Sequence, residues 1–373
     1  MPVKNRIKIC HLTSAHPQND IRIFYKQCVS LSKADYEVSL VVPNTEEKTI
    51  NNVNIKTIKV ESSGRLKRFL KTTNMVYQKA LEIDAELYHF HDPELLRIAL
   101  KLKKKGKVVI YDAHEDVPKQ IMDKHWIPFI FRPLISSLFS KYESYICKRI
   151  SGVVSVTDKI CQRFKACNKN VELIANYPLL EEADQINKSS HLKKENQVCY
   201  IGGLFPTRGI VEIVESVKNS EISLILAGHF SPVSFRKNVE SNKGWKNVNY
   251  LGHVSRDKIM EILKTSSVGL VTLHPTRSYV ESLPIKMFEY MSAGLPVVAS
   301  DFPEWKKIIM QTGCGICVDP MNTDQISKAI KEILENKDKA MEMGKNGKKA
   351  FYNRYNWTIE EKKLIQFYKK LLA

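Results

Sequence analysis

Short apolar runs rich in Val and Ile alternate with longer stretches of helical period along almost the whole chain. In the first half the runs fall at residues 6–13, 37–43, 53–60, 85–91, 107–114, 152–157 and 171–176. Residues 21–34 and 93–105 are among the intervening helical stretches. The second half repeats the rhythm, with runs at 198–203, 222–228, 248–254, 268–273, 296–301 and 315–320. Continuous apolar strands separated by helices mean βαβ units, and hence parallel sheets covered on both faces.

Between the halves, residues 180–197 are polar and lack apolar periodicity, and are read as a linker. The chain has 373 residues, enough for about two domains. The expected domains are 1–180 and 195–355, each doubly wound. Residues 356–373 are read as a closing helix that crosses back to the first domain; Thr358 and Glu361 have capping-box spacing at its start. Two such domains facing across a cleft would line it with strand carboxyl ends.

Composition is that of a soluble globular protein, 43% hydrophobic and 26% charged, which argues against disorder and disulfide scaffolds. No run approaches the ~18 apolar residues of a spanning helix. The first residues show no secretory apolar segment, so the chain is read as cytosolic. Eight cysteines are scattered and read as reduced thiols; Cys314 and Cys317 form a C-x-x-C without a second pair, read as structural. Lys plus Arg number 58 against 40 acidic residues, a net +18 concentrated in residues 1–180. That field favours phosphate-bearing substrates or anionic surfaces.

Three stretches carry candidate chemistry. Glu281 and Glu289 are separated by seven residues, with a helix opening near Ile285 between them and Gly294 at its end. Free N–H groups at a helix start face anions, and a carboxylate beside them suits sugar hydroxyls. A loop charge and a solvated helix residue explain the same spacing equally well. Gly202 and Gly203 follow an apolar run, with Arg208 at the next helix start, as in a phosphate-approaching turn or an ordinary strand-to-helix turn. His89, His91, Asp92, Asp112, His114, Glu115 and Asp116 cluster at two predicted strand ends. A metal reading of that cluster is disfavoured, since neither short motif fixes a ligand geometry; the chain also has no D-x-D pair.

These residues carry a resemblance. The chain resembles retaining glycosyltransferases of family 4, which have the two-Rossmann-domain GT-B fold. It is carried by His11-Leu-Thr-Ser-Ala-His16-Pro, Asp20-Ile-Arg22-Ile-Phe, His91-Asp92-Pro-Glu-Leu and Tyr111-Asp-Ala-His114-Glu-Asp. In the second half it is carried by Gly202-Gly203 through Arg208-Gly209, by Leu251-Gly252-His253-Val254, and most specifically by Glu281-x7-Glu289.

The resemblance implies that Glu289 holds the ribose of a nucleotide-diphosphate sugar donor, and that Glu281 faces the transferred sugar. It implies Arg208 on the pyrophosphate and His114 near the donor sugar. Backbone at Leu283, Pro284 and Ile285 would cradle phosphate, and Gly252, His253 and Val254 would border the base. His16, Asp20, Arg22, His91 and Asp92 are expected on the acceptor side. Many members have arginine where this chain has Gly203, so Lys286 is expected to supply a phosphate contact. The loop at 16–20 also lacks the diglycine many members carry.

The activity implied is retaining sugar transfer to a lipid-linked or oligosaccharide acceptor in surface polysaccharide assembly, with no cofactor and no metal. The transition state would be oxocarbenium-like, with electrostatic stabilisation of the leaving diphosphate. An epimerase or phosphorylase on the same fold is the alternative enzyme. A non-enzymatic basic module is the alternative of another class, and nucleic acid is disfavoured for want of an aromatic stacking platform. Residues 126–143, with Lys148 and Arg149 beyond them, and residues 65–71 mix apolar and basic side chains. They are expected to attach the protein peripherally to the anionic cytoplasmic face of the membrane, a core helix with a solvated basic face being the alternative.

Overall fold

A computed structural model describes residues 6–60, 65–124, 126–188 and 196–373. The chain forms two compact units, one running through Asn176 and including Thr358–Ala373, the other Tyr177–Trp357.

The first unit holds an eight-stranded sheet of β1 (Lys8–Leu12), β2 (Glu37–Pro43), β3 (Lys48–Ile50), β4 (Val53–Ile58), β5 (Leu87–Phe90), β6 (Val108–Ala113), β7 (Gly152–Ser155) and β8 (Val171–Leu173). Their order is β3-β4-β2-β1-β5-β6-β7-β8. All neighbours are parallel except β3 and β4. The second unit has β9 (Gln197–Ile201), β10 (Ser223–Ala227), β11 (Val248–Gly252), β12 (Val268–Val271), β13 (Val297–Ser300) and β14 (Gly315–Val318). Their order is β11-β10-β9-β12-β13-β14, parallel throughout. In each sheet the winding reverses beside its first strand, between β1 and β5 and between β9 and β12. Ligands of open α/β sheets bind outside the carboxyl ends at such switch points. Both units are therefore Rossmann-like.

Central strands such as β5, β9, β12 and β13 are buried along their whole length, because helices cover both sheet faces. Every strand expected from the apolar runs forms. One strand was not expected, β3, whose polar residues give no run. It pairs antiparallel with β4, with Ile50 opposite Val53. The two loop residues, Asn51 and Asn52, both have positive φ, the type I′ geometry that asparagine tolerates. The Asn-Asn pair was the readable signal.

The expected linker is corrected. Residues Leu180–Lys188 form a helix that buries Ala183 and Ile186. Leu180 also packs there, partly buried, and these three apolar positions in nine residues are too few to show as a period. Residues 189–195 of that linker lie outside the described residues. The last helix, Trp357–Leu372, packs in the first unit. There a Cβ at Gly152 would stand 2.7 Å from the Phe367 ring.

The helix Arg132–Cys147 turns Glu143, Ile146 and Cys147 inward. Its other face, with the segment before it, exposes Trp126, Phe129, Ile130, Phe131, Leu134 and Leu138. Phe129 and Ile130, in the turn before the helix, are 76% and 78% exposed, and Leu134 and Leu138 on it are more than half exposed. Arg132 lies over the Phe129 ring and Arg149 over Tyr145. Residues 65–71 open the helix Arg65–Ile83, but the side chains of 65–69 lie outside the described residues. Among the described residues no helix is long and apolar enough to cross a membrane.

Candidate functional site

In the second unit the predicted residues gather at the carboxyl end of β9. Gly202 follows that strand with φ +137, and its N–H donates to Ala227 O. The absence of a Cβ is used: one built there would stand 2.6 Å from Lys286 Nζ and closer still to Cε. Lys286 therefore runs against the turn, its ammonium 5.5 Å from the centre of the Tyr200 ring. Burial and the neighbouring Arg208 push its pKa down to about 8. The Arg208 guanidinium lies 4.5 Å from the centre of the Tyr279 ring, and its Nε is buried without a hydrogen-bond partner. Among the described residues neither cation is ion-paired with a carboxylate. At Gly203 the Phe205 ring stands where a Cβ would point.

Lys286 belongs to the helix Ile285–Ser292, which Pro284 caps and Gly294 follows with φ +67. Pro284 lacks an N–H, so the expected cradle at 283–285 is corrected. Its donors reduce to Leu283 and Ile285, joined by Lys286, whose amides at the helix mouth have no carbonyl a turn behind them. Glu281 lies in the loop ahead, where Trp305 Nε1 donates to Ser282 O at 2.5 Å. Glu289 sits one turn inside, and its Oε1 is 2.7 Å from Arg256 Nη1. At the end of β11, Gly252 turns with φ +66. The exposed His253 stacks on His229, with ring centroids 4.9 Å apart and planes 7° from parallel, while Val254 packs on the core. Neither Arg256 nor His229 was singled out from sequence. Arg256 opens an unremarkable helix, and the histidine pairing depends on sheet order.

In the first unit a cavity of about 230 Å³ is lined by residues including His16, His91, Asp92, Tyr111, Asp112 and His114. His16 is clamped between two carboxylates, Nδ1 3.4 Å from Asp20 and Nε2 3.3 Å from Asp92. These hydrogen bonds outweigh burial and raise its pKa to about 10. Burial would raise both carboxyls, but His16 and backbone N–H donors bring each down to about 2. Asp92 also accepts from Thr13 Oγ1 and from Ser14 N, and Asp20 caps the following helix at Ile23 N. At neutral pH His16 is thus an imidazolium on the cavity wall.

Arg22 hydrogen-bonds to the protein itself. It is 5% exposed, forks onto Asp112 through Nε and Nη2 at 2.9 and 2.8 Å, and donates to Ile174 O. Its helix, Ile21–Cys28, is a wide π-helical turn that also aims Gln27 at Asp112. Burial would raise Asp112, but the Arg22 charge and the His91 hydrogen bond hold it well below the usual carboxylate range.

A carboxylate only accepts, so Asp112 fixes a series of tautomers. His91 Nδ1–H donates to Asp112 at 3.2 Å, and His11 Nδ1–H donates to His91 Nε2 at 2.9 Å. Tyr368 O–H then donates to His11 Nε2 at 3.2 Å, and His89 Nδ1–H donates to Tyr368 at 2.6 Å. Burial lowers all three imidazole pKa values and keeps the rings neutral. Both ring nitrogens of His91 thus have protein partners, while the residue also lines the cavity. His114 differs: its Nδ1 faces Asp112 O at 3.2 Å, leaving Nε2 with a lone pair in the neutral ring.

Among the described residues two groups bring ligand-type atoms together, His11/His89/His91 and His91/Asp112/His114. Nitrogens around tetrahedral zinc, with bonds of about 2.0–2.1 Å, stand roughly 3.3 Å apart. The 2.9 Å between His11 and His91 is a hydrogen-bond length, and Asp112 is already filled by Arg22 and Gln27. Both groups are built as hydrogen-bond networks.

Two family models match successive stretches of the chain, Glycosyltransferase Family 4 at residues 22–176 and Glycosyl transferases group 1 at residues 181–350. An uncharacterized glycosyltransferase of Methanocaldococcus jannaschii is 21% identical over 282 residues, covering 73% of this chain and 69% of its own. The lipopolysaccharide glucosyltransferase WaaG of Escherichia coli is 21% identical over 187 residues, covering 46% of this chain and 48% of its own. Sucrose-phosphate synthase from Thermosynechococcus elongatus shares the fold, with a TM-score of 0.76 at 18% identity over 99% of this chain and 100% of that one. The chain belongs to the family 4, group 1 glycosyltransferases and has their GT-B fold.

Proposed function

We propose that the protein is a retaining glycosyltransferase that takes a sugar from a nucleotide-diphosphate sugar and passes it to a lipid-linked or oligosaccharide acceptor in surface polysaccharide assembly. The observation that carries this reading is the pair of cations Arg208 and Lys286. Neither is ion-paired with a carboxylate among the described residues; Lys286 runs against Gly202 at a sheet switch point, and Arg208 is its electrostatic neighbour. Two neighbouring, partly buried cations without a carboxylate partner cost stability unless an anion joins them. A diphosphate supplies that charge, and the helix mouth at Ile285 adds its dipole.

In this reading Arg208 and Lys286 stabilise the leaving diphosphate as charge develops on it, a preorganised electrostatic contribution. They do the work a divalent ion does in metal-dependent transferases, so no resident metal is invoked. Glu289 receives donor ribose, Glu281 the transferred sugar, and His114 Nε2 accepts from a sugar hydroxyl. His253 and Val254 border the base. His16, Asp20 and Asp92 present the acceptor-side wall. The Escherichia coli relative is a lipopolysaccharide glucosyltransferase, which supports a glycolipid acceptor. The exposed apolar and basic face at residues 126–149 supports work at the cytoplasmic membrane surface.

The test is thermal shift with UDP, GDP and ADP, since a ligand that binds only the folded state raises its melting temperature. At least one should shift wild type strongly and the Arg208→Ala, Lys286→Met pair of variants weakly. No shift with any of the three overturns the reading. Turnover of the matching donor sugar without acceptor would instead mark an epimerase.

A further inference from the structure

Arg256 opens the helix Arg256–Thr265, directly after its cap Ser255. A positive charge there opposes the helix dipole, so the position is locally unfavourable and calls for compensation. Two carboxylates supply it. Glu182 takes the guanidinium fork, Nε at 2.8 Å and Nη2 at 2.5 Å. The remaining Nη1 reaches Glu289 Oε1 at 2.7 Å. Glu182 is itself well anchored, in the first turn of the helix Leu180–Lys188 whose Ala183 and Ile186 are core residues. Asn187 of the same helix donates to Ser292 O, at the end of the helix that carries Glu289.

We propose that Arg256 is a positioning residue for donor binding, held by Glu182 so that it turns Glu289 Oε2 toward a ribose hydroxyl. The proposal rests on the reading of Glu289 given above. Oε1 faces Arg256, and Oε2 has no protein partner among the described residues. The arginine does a second thing. Glu289 stands one turn from Lys286 on the helix that would cap the diphosphate, and an unpaired carboxylate there would repel the ligand. With Arg256 between Glu182 and Glu289 the three charges sum to a single negative one. Lysine cannot replace it fully, because one ammonium cannot fork onto Glu182 and reach Glu289 in a fixed plane.

Calorimetry with UDP, GDP and ADP identifies the tightest of the three, and that nucleotide is then compared with its 2′,3′-dideoxy form. Wild type should favour the ribonucleotide. Arg256→Ala should weaken its binding about tenfold, the scale of one charge-assisted hydrogen bond, and erase most of the preference over the dideoxy form. Arg256→Lys should recover part of the preference, and Glu182→Gln should lose part of it. Adding Arg256→Ala to Glu289→Ala should cost nothing more. In turnover the loss should appear in donor KM with kcat little changed. If Glu289→Ala weakens ribonucleotide binding while Arg256→Ala keeps wild-type affinity and preference, the positioning role is overturned. If Glu289→Ala itself binds as wild type, the donor reading of Glu289 falls instead. Should Arg256→Ala fail to fold, Arg256→Lys and Glu182→Gln decide the question, and wild-type preference in both overturns the proposal.

Discussion

Lys286 occupies the space that a side chain on Gly202 would fill, its Nζ 2.6 Å from where a Cβ would stand. Gly202 also has φ +137, a conformation costly for any other residue. Gly202→Ala therefore strains the turn and displaces the ammonium together. The expected outcome is a folded protein whose nucleoside diphosphate affinity drops by about tenfold or more, the loss of one charge-assisted contact. Calorimetry on the purified variant checks it, and unchanged affinity would detach Lys286 from phosphate.

The lowered Lys286 pKa gives donor affinity a pH dependence with a definite sign. The ammonium is present below about 8 and is lost above it, driven by burial and by Arg208. An anion binds the charged form, so affinity should be level below pH 8 and fall as pH rises beyond it. Folding shows the opposite trend. The ordinary lysine value is 10.5, so between about 8 and 10.5 the unfolded chain binds the extra proton and this group's contribution to stability rises with pH. Lys286→Met should accordingly raise the melting temperature of the ligand-free protein at pH 7 while weakening nucleotide binding. A variant that loses both stability and binding would contradict this account.

Tyr368 ties the last helix to the first sheet through one hydroxyl, which donates to His11 and accepts from His89. All three residues are fully buried. Tyr368→Phe keeps the ring and leaves His11 Nε2 and the His89 Nδ1–H unpaired in the interior. The expected cost is about 3 kcal/mol, the sum for two stranded polar groups. Urea titration should show a lower midpoint with an unchanged slope, because the fold and the surface exposed on unfolding stay the same.

The fold was legible because every central strand is buried on both faces and so reads as a continuous apolar run. The strand β3 escaped because an edge hairpin needs no apolar run. The helix Leu180–Lys188 escaped because its core contacts are only Leu180, Ala183 and Ile186, within one short polar stretch. The candidate site was legible as far as strand ends are. His16, Asp92 and His114 come together around one cavity because β1, β5 and β6 are neighbours. Sequence spacing could not say which polar residues turn inward. Arg22 and His91 spend donors on Asp112, and this depends on the π-helical turn and on β6 lying beside β5. Arg256 was hidden for a related reason, since both its carboxylate partners lie on other helices.

The exposed face at residues 126–149 makes the last prediction. Phe129, Ile130, Leu134 and Leu138 are more than half exposed, and Arg132 and Arg149 lie beside its aromatic rings. Aromatic and aliphatic side chains fringed by cations match the interface of an anionic bilayer. Each basic residue near such a surface adds about 1 kcal/mol, and salt screens it. The protein should float with vesicles containing phosphatidylglycerol, bind neutral vesicles weakly, and come off as salt rises. Phe129→Ser with Ile130→Ser should weaken flotation while leaving nucleotide binding intact, since that contact is assigned to the other unit. Equal partition to neutral and anionic vesicles would remove the electrostatic half of the argument, and wild-type flotation by the double variant would remove the apolar half.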